Sequence, residues 1–254
     1  MEKLKIVLSG CSGRLGSVVA RIAKSRDDME IVCGVDIQGE AEFPVVRSFA
    51  DIPKDLSADV VIDISHHALI GDVLAYAESG NLPVVICTTG HTEDEDEMIR
   101  DASRRVPILK SRNMSLGINL MTELVRRAAA ALGDDFDIEI VEAHHNKKLD
   151  APSGTALMLA DAAREVRPES EYIYDRHAVR QERDSREIGI HSIRGGTIVG
   201  EHSVIFAGHD EMITLSHSAG SRDLFASGAV KAAFFLHGAQ PGYYTMSDVV
   251  KSVL

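Results

Sequence analysis

The side chains with most chemistry in them lie together, in Glu142-Ala143-His144-His145-Asn146-Lys147-Lys148-Leu149-Asp150-Ala151-Pro152-Ser153-Gly154-Thr155-Ala156. A histidine can carry a proton near neutrality, and a lysine favours negative charge developing beside it. Two of each in so short a run read as an anion site with a proton donor next to it. Pro152 suits the first turn of a helix, where its missing N–H is not needed. The amides of Ser153, Gly154 and Thr155 are then expected to point outward at the positive end of the helix dipole, a nest for a carboxylate or phosphate. Taken singly, each histidine or lysine reads better as an exposed loop residue or a satisfied structural one; together they exceed what a turn requires. No metal is expected. Adjacent histidines on extended backbone point apart, no Cys or His-x-x-x-His partner lies near, and the lysines would repel a cation.

The elements that must hold this set are legible on either side of it. Asp137 to Glu142 alternates polar and apolar like a half-buried strand, and Ala156 onward reads as an amphipathic helix, which places the motif on a strand-to-helix loop. After that helix, near residues 155 to 166, the polar span from Arg167 to Glu187 has little periodicity and reads as an excursion. Thr197–Ala207 and Glu211–His217 follow as strands, with Gly208-His209-Asp210 as the hairpin signal between them. A closing helix is expected from about Arg222 to Leu236.

A second motif opens the chain. Leu4–Ser9 reads as a buried strand running into Gly10-Cys11-Ser12-Gly13-Arg14-Leu15-Gly16, and a helix follows. Glycines so spaced permit a tight turn, close approach of backbone to a pyrophosphate, and close packing of helix on strand. A second strand, Glu30–Val35, ends at Asp36, where a carboxylate can accept the adenosine ribose hydroxyls. Asp36 is followed by Ile37-Gln38-Gly39-Glu40, which offers no cation for a 2′-phosphate. NADH is therefore expected to be preferred, with NADPH as a second cofactor through Arg14 in the glycine loop, whose guanidinium can swing across the adenosine. Asp59–Ile64 and Pro83–Cys87 are further apolar runs of parallel-strand type, separated by a helix from about His67 to Ser79. Thr88, Thr89 and Gly90 follow the latter at the carboxyl edge, on the expected nicotinamide-ribose side. His66 and His67 read as loop and cap residues. Val106–Leu109 leads to Ser111, Asn113 and Met114, which complete the expected cofactor-binding set as the chain leaves this domain for a long helix ending at Leu132.

Parallel sheet followed by open antiparallel sheet predicts an α/β chain. A Rossmann-type doubly wound parallel sheet is joined to a second α+β domain built on a mainly antiparallel open sheet. The expected division is 1–114 with 222–254 for the dinucleotide and 115–221 for substrate and oligomerisation. With 254 residues, 44% of them apolar, two modest cores can be filled. There is no long apolar run, and the chain enters a strand at once, so neither a membrane span nor a signal peptide is expected. Cys11, Cys33 and Cys87 have no paired spacing, as expected of reduced thiols in a cytoplasmic protein. A net charge of −12 argues against nucleic acid and makes the cationic His-His-Asn-Lys-Lys patch notable.

On these motifs, together with Arg194-Gly195-Gly196, Val199-Gly200-Glu201-His202 and Arg222 near Phe225-Ala226, the chain resembles the 4-hydroxy-tetrahydrodipicolinate (dihydrodipicolinate) reductase family over essentially its whole length. Leu15 stands where Met is common in the family, a volume-conserving change. The resemblance implies NAD(P)H-dependent reduction of a cyclic imine dicarboxylate in lysine and diaminopimelate biosynthesis. It also implies His144 as proton donor, Lys148 stabilising or relaying charge, and His145, Ser153, Gly154 and Thr155 gripping the carboxylates. A homotetramer built through the second domain's sheet is implied as well. Two other readings stay open on the residues alone: another Rossmann oxidoreductase acting on a small dicarboxylate, and a non-catalytic dinucleotide sensor.

Overall fold

The computed structural model describes residues 2–39 and 41–253; Glu40, counted above among the residues after Asp36, lies outside them. In chain order the first elements are β1 (Leu4–Ser9), α1 (Arg14–Lys24), β2 (Met29–Val35), β3 (Val45–Val46), β4 (Val60–Asp63), α2 (Ile70–Gly80), β5 (Val84–Ile86), α3 (Glu93–Ala102) and β6 (Pro107–Lys110). Then come α4 (Leu116–Leu132), β7 (Asp137–His144), α5 (Gly154–Arg164), β8 (Glu171–Ile173), β9 (Glu187–Arg194), β10 (Glu201–Ala207) and β11 (Met212–Ser218). The chain ends with α6 (Asp223–Leu236), β12 (Gly242–Tyr244) and α7 (Met246–Lys251). Two compact units result, one of residues 1–116 with 223–254, the other of residues 117–222.

The first unit is a seven-stranded sheet in the order β12-β6-β5-β4-β1-β2-β3, with every pairing parallel. Successive residues of a strand face opposite ways, so a run such as Leu4–Ser9 must be apolar throughout to be covered on both faces. Ile6 and Leu8 pack with Val19 of α1 and Ala229 and Ala233 of α6. Val7 faces the other way, among Val73 of α2 and Ile99 of α3. The helices therefore lie on both sides, as a doubly wound sheet requires. The order reverses direction at β1, so the glycine motif leaves the sheet at its switch point.

Helix α3 has no counterpart in the expected elements, although its start is written in the sequence. Thr92 Oγ1 accepts from the Glu95 amide at 3.2 Å while Glu95 Oε2 accepts from the Thr92 amide at 2.7 Å, a complete capping box.

The second unit is a five-stranded sheet in the order β11-β10-β7-β9-β8. The expected hairpin is present as the antiparallel pair β10 and β11, and β10 also runs antiparallel to β7. Strand β9 runs parallel to both β7 and β8, so the sheet is mixed rather than mainly antiparallel. The difference comes from β9. Ile188 and Ile190 alternate with Gly189 and His191 as a one-sided strand does, within a stretch whose polar start concealed it. One face carries α4 and α5 on a core that includes Val125, Ile138, Ile140, Leu159, Ile190, Val204 and Phe206.

Candidate active site

The glycine loop is built by steric necessity. Gly10 has φ +76°, and a Cβ there would stand 2.6 Å from the Ile64 carbonyl oxygen. A Cβ on Gly16, which lies within the first turn of α1, would overlap the carbonyl oxygens of Gly10 and Cys11. Gly13 caps α1 with no side-chain acceptor, so the first-turn amides remain directed at the loop opening, where an anion is favoured. Asp36, just past β2, accepts the Ser12 amide on Oδ2 at 2.9 Å, which fixes the carboxylate beside the loop. Cys11 is buried, Arg14 is exposed and Leu15 packs partly on the core. This cradle fits the pyrophosphate and adenosine ribose of a dinucleotide.

At the carboxyl ends of β4 and β5 the buried carboxylate of Asp63 accepts from Thr88 Oγ1 at 2.6 Å and Ser65 Oγ at 2.5 Å. Thr88 is therefore turned inward, whereas Thr89 and Gly90 are exposed. His66 accepts the Ala68 amide and His67 meets Glu95 at 3.0 Å, the cap and loop roles expected of them. Ser111 Oγ donates to the Asn113 carbonyl, and Asn113 Oδ1 accepts the Ser115 amide at the start of α4. The Met114 side chain is buried in the core.

The second constellation centres on β7. His144 is the last residue of that strand, not a loop residue, and its in-register partner on β9 is Arg194. Two residues earlier, and so on the same face, the Glu142 carboxylate is fully buried. It meets His144 Nδ1 at 2.6 Å and accepts from the Arg194 guanidinium at 2.7 and 2.8 Å and from the Ser153 amide at 3.1 Å. Burial alone would raise its pKa. Hydrogen bonds from Arg194, His144, Ser192 and the Ser153 amide outweigh burial and hold it at about 2. Because Glu142 is ionised, His144 Nδ1 must donate, which leaves Nε2 as the working nitrogen. A Cβ on Gly200 would stand only 3.1 Å from that Nε2, so glycine keeps its surroundings open.

The expected nest at α5 is partly rebuilt. The helix starts at Gly154, after a cis Ala151–Pro152 peptide, with Ser153 as its N-cap. The Ser153 amide points inward to Glu142. Its hydroxyl accepts the Ala156 amide at 3.1 Å and lies 3.0 Å from His202 Nε2, so Ser153 is engaged internally. Gly154 is exposed and Thr155 half-buried at the helix start. Lys148 Nζ pairs with Asp150 Oδ1 at 2.8 Å, and Arg222 lies 3.2 Å from His145 Nε2.

Three residues here escaped sequence reasoning as site members. Glu142 and Arg194 stood within quoted motifs, and the signal was a buried-strand Glu two positions before His144. His202 is the third: buried, 5.1 Å ring to ring from His144, and pushed down to about 4 by desolvation and by His144. Among the described residues no group of three His, Cys, Asp or Glu side chains could hold a metal ion, and no helix is long and apolar enough to cross a membrane.

Comparison with known proteins places both constellations in one lineage. Residues 4–114 match the family described as dihydrodipicolinate reductase, N-terminus, and residues 117–250 the corresponding C-terminus. A 4-hydroxy-tetrahydrodipicolinate reductase of Caldanaerobacter subterraneus subsp. tengcongensis is 52% identical over 250 residues, 98% of each chain. One of Clostridium novyi is 43% identical over 251 residues, again 98% of each chain. A dipicolinate-bound dihydrodipicolinate reductase from Paenisporosarcina sp. TG-14 shares the fold, with a TM-score of 0.82 at 24% identity, over 97% of this chain and 99% of that one. With both halves matched and full-length relatives this similar, the chain belongs to the dihydrodipicolinate reductase family.

Proposed function

We propose that His144 supplies the proton, and Lys148 a stabilising charge, as this reductase of lysine and diaminopimelate biosynthesis converts the dehydrated form of 4-hydroxy-tetrahydrodipicolinate into tetrahydrodipicolinate. The nicotinamide dinucleotide, when bound, supplies the hydride. Gly10 to Gly16 and Asp36 would hold its pyrophosphate and ribose; Thr88, Thr89, Gly90, Ser111, Asn113 and Met114 would line the remainder, Thr88 through backbone. The observation that carries the assignment of roles is the 2.6 Å contact of His144 Nδ1 with ionised Glu142. With Nδ1–H held by that carboxylate, the Nε2–H of the doubly protonated ring can pass to the enamine left by hydride addition, and neutral His144 remains as the product forms. Lys148 is held on its loop by Asp150 and offers positive charge to the reacting face, while His145, Ser153, Gly154 and Thr155 take the carboxylates or shape the pocket for them. The assay is NADH and NADPH oxidation with the coupled synthase product as substrate. Absence of turnover with both would leave a dinucleotide sensor.

The finer assignments follow from the same residues. NADH is preferred over NADPH by a modest factor, because the Asp36 carboxylate repels a 2′-phosphate, with Arg14 of the glycine loop as the cation that could offset it. Comparison of kcat/KM for the two cofactors tests this, and Ile37→Arg should raise NADPH use. Tenfold preference for NADPH in the unmutated chain would overturn the reading. The division of labour follows the two units, dinucleotide on the first and dicarboxylate on the second. The protein works in the cytoplasm as a homotetramer assembled through the helix-free face of the mixed sheet, where Ile193 and Met212 are exposed. Sedimentation equilibrium should give four chains per particle.

A further inference from the structure

Four groups converge on one buried carboxylate, and one of them does two things. Arg194 Nη1 and Nη2 reach Glu142 at 2.8 and 2.7 Å, and Nη2 also donates to the Asp150 carbonyl oxygen at 2.6 Å. Asp150 in turn pairs with Lys148. A single guanidinium thus touches both the carboxylate behind His144 and the loop that carries Lys148. We propose that Glu142 and Arg194 are positioning residues acting as one strut. Glu142 keeps a proton on His144 Nδ1 so that Nε2 faces the substrate, and Arg194 keeps Glu142 ionised while anchoring the Lys148 loop. The inference rests on the roles proposed above for His144 and Lys148.

The electrostatics require a strong partner at this place. Around Glu142 stand His144 on its own strand, Ser192 and Arg194 on β9, His202 on β10, the Ser153 amide ahead of α5, and Lys148 with Asp150 on the intervening loop. His202 is neutral at physiological pH, and Lys148 is already paired. Only Arg194 brings a permanent positive charge into bidentate contact with Glu142, and arginine cannot relieve the strain by losing a proton. Without it, burial would favour the protonated acid. A neutral Glu142 carries a proton of its own and no longer requires Nδ1 to donate, so the ring loses the hydrogen bond that keeps Nε2 toward the substrate.

The test is the pH profile of kcat with saturating NADH for the full-length protein and for Arg194→Gln, Arg194→Lys and Glu142→Gln. Long-range 1H–15N spectra of His144 accompany it and read, without turnover, whether Nδ1 holds the proton. In Arg194→Gln the acid limb should move up by a pH unit or more, with kcat lowered about 10²-fold, the scale of a misplaced catalytic group, and KM for NADH within twofold. Glu142→Gln, which has no charge to lose, should lower kcat and lose the acid limb that reports protonation of Glu142. Arg194→Lys, which keeps the charge and loses the second arm, should keep both limbs near those of the parent and lower kcat less. Profiles of unchanged shape with reduced kcat in the Gln variants would mean a purely structural strut and overturn the proposal. If one Gln variant does not fold, the other decides. A parent protein without turnover would instead overturn the assigned reaction, while the His144 spectra would still decide whether Glu142 holds the proton on Nδ1.

Discussion

Two adjacent histidines of the same type are given different surroundings, and the difference decides which can act as an acid. His144 rests on an ionised carboxylate, whereas His145 Nε2 faces the Arg222 guanidinium, which can only donate. In that contact His145 must accept at Nε2, leaving Nδ1–H as a neutral hydrogen-bond donor for a carboxylate. His144→Gln should therefore lower kcat by roughly 10² or more, the scale of lost general acid catalysis, with the Kd for NADH unchanged. Lys148→Ala should do the same, while His145→Gln should act mainly on KM for the dicarboxylate. Stopped-flow fluorescence of bound NADH separates these effects, and near-normal turnover in both of the first two variants would refute the assignment. The types and spacing at 142–156 were enough to expect a proton donor in an anion site. They could not show that Ser153 is spent on Glu142 and His202, because the loop must fold back on β7 for its amide to reach Glu142, and His202 is brought beside Glu142 only by the register of β10 on β7.

Strands and helices carry those residues at a measurable cost. β10 places His202 in register with Glu142 and with His217 of β11, a polar row at the end of an otherwise apolar helix-covered face. Desolvation depresses the pKa of His202 to about 4 and also lowers that of His217. The unfolded chain takes up these protons near pH 6.5 and the folded one resists them, so stability present above that pH is lost as pH falls from about 6.5 toward 4. His202 alone contributes up to roughly 3 kcal/mol of that loss. Glu142, depressed to about 2, gives a second loss between its ordinary value near 4.5 and 2. Thermal unfolding against pH should show the upper window flattened in His202→Gln, and an unchanged slope would contradict the burial argument. In the first unit, alanine in a helix normally gains about 1 kcal/mol over glycine. At Gly16 the new Cβ would overlap the Gly10 carbonyl, so Gly16→Ala should instead destabilise by roughly 1–3 kcal/mol and weaken NADH binding. The elements themselves were largely legible: β1, β2, β4, β5, α4, α6 and the β10–β11 hairpin follow from apolar runs and turn residues. The misses share a cause. β9 begins in a charged stretch and shows its alternation only once β7 is beside it, while α3 is so acidic that its capping box is its only strong signal.

The whole chain is threaded unequally through its two units, and this has consequences for how it can be divided. Residues 117–222 form the second unit without interruption, and its core, from Met121 to Phe206, is made of its own residues. The first unit is discontinuous. Ala226, Ala229, Val230, Ala232, Ala233 and Leu236 of α6 are buried in the same core as Ile6 and Leu8, and β12 extends the sheet beside β6. Gly228 packs so closely that a Cβ would overlap the Met114 carbonyl oxygen. A fragment ending at residue 116 therefore keeps α1 but lacks α6 on the face of the sheet that carries Ile6 and Leu8, and leaves β6 as an unpaired edge, an invitation to aggregation. Removing six buried apolar side chains at about 1 kcal/mol or more each exceeds half the stability of an ordinary domain. Expressed alone, residues 117–222 should give a cooperative thermal transition and dispersed amide resonances. Residues 1–116 should be unfolded or aggregated and should recover NADH binding only when residues 223–254 are fused back through a short linker. The same asymmetry predicts that in the intact chain saturating NADH, at about 100 times its Kd, stabilises the first unit by roughly 2.7 kcal/mol and protects its amides from exchange, including those of α6. Hydrogen exchange resolved by residue checks this directly. A soluble, NADH-binding fragment 1–116 would show that α6 is dispensable to the nucleotide fold and would contradict the argument from its burial.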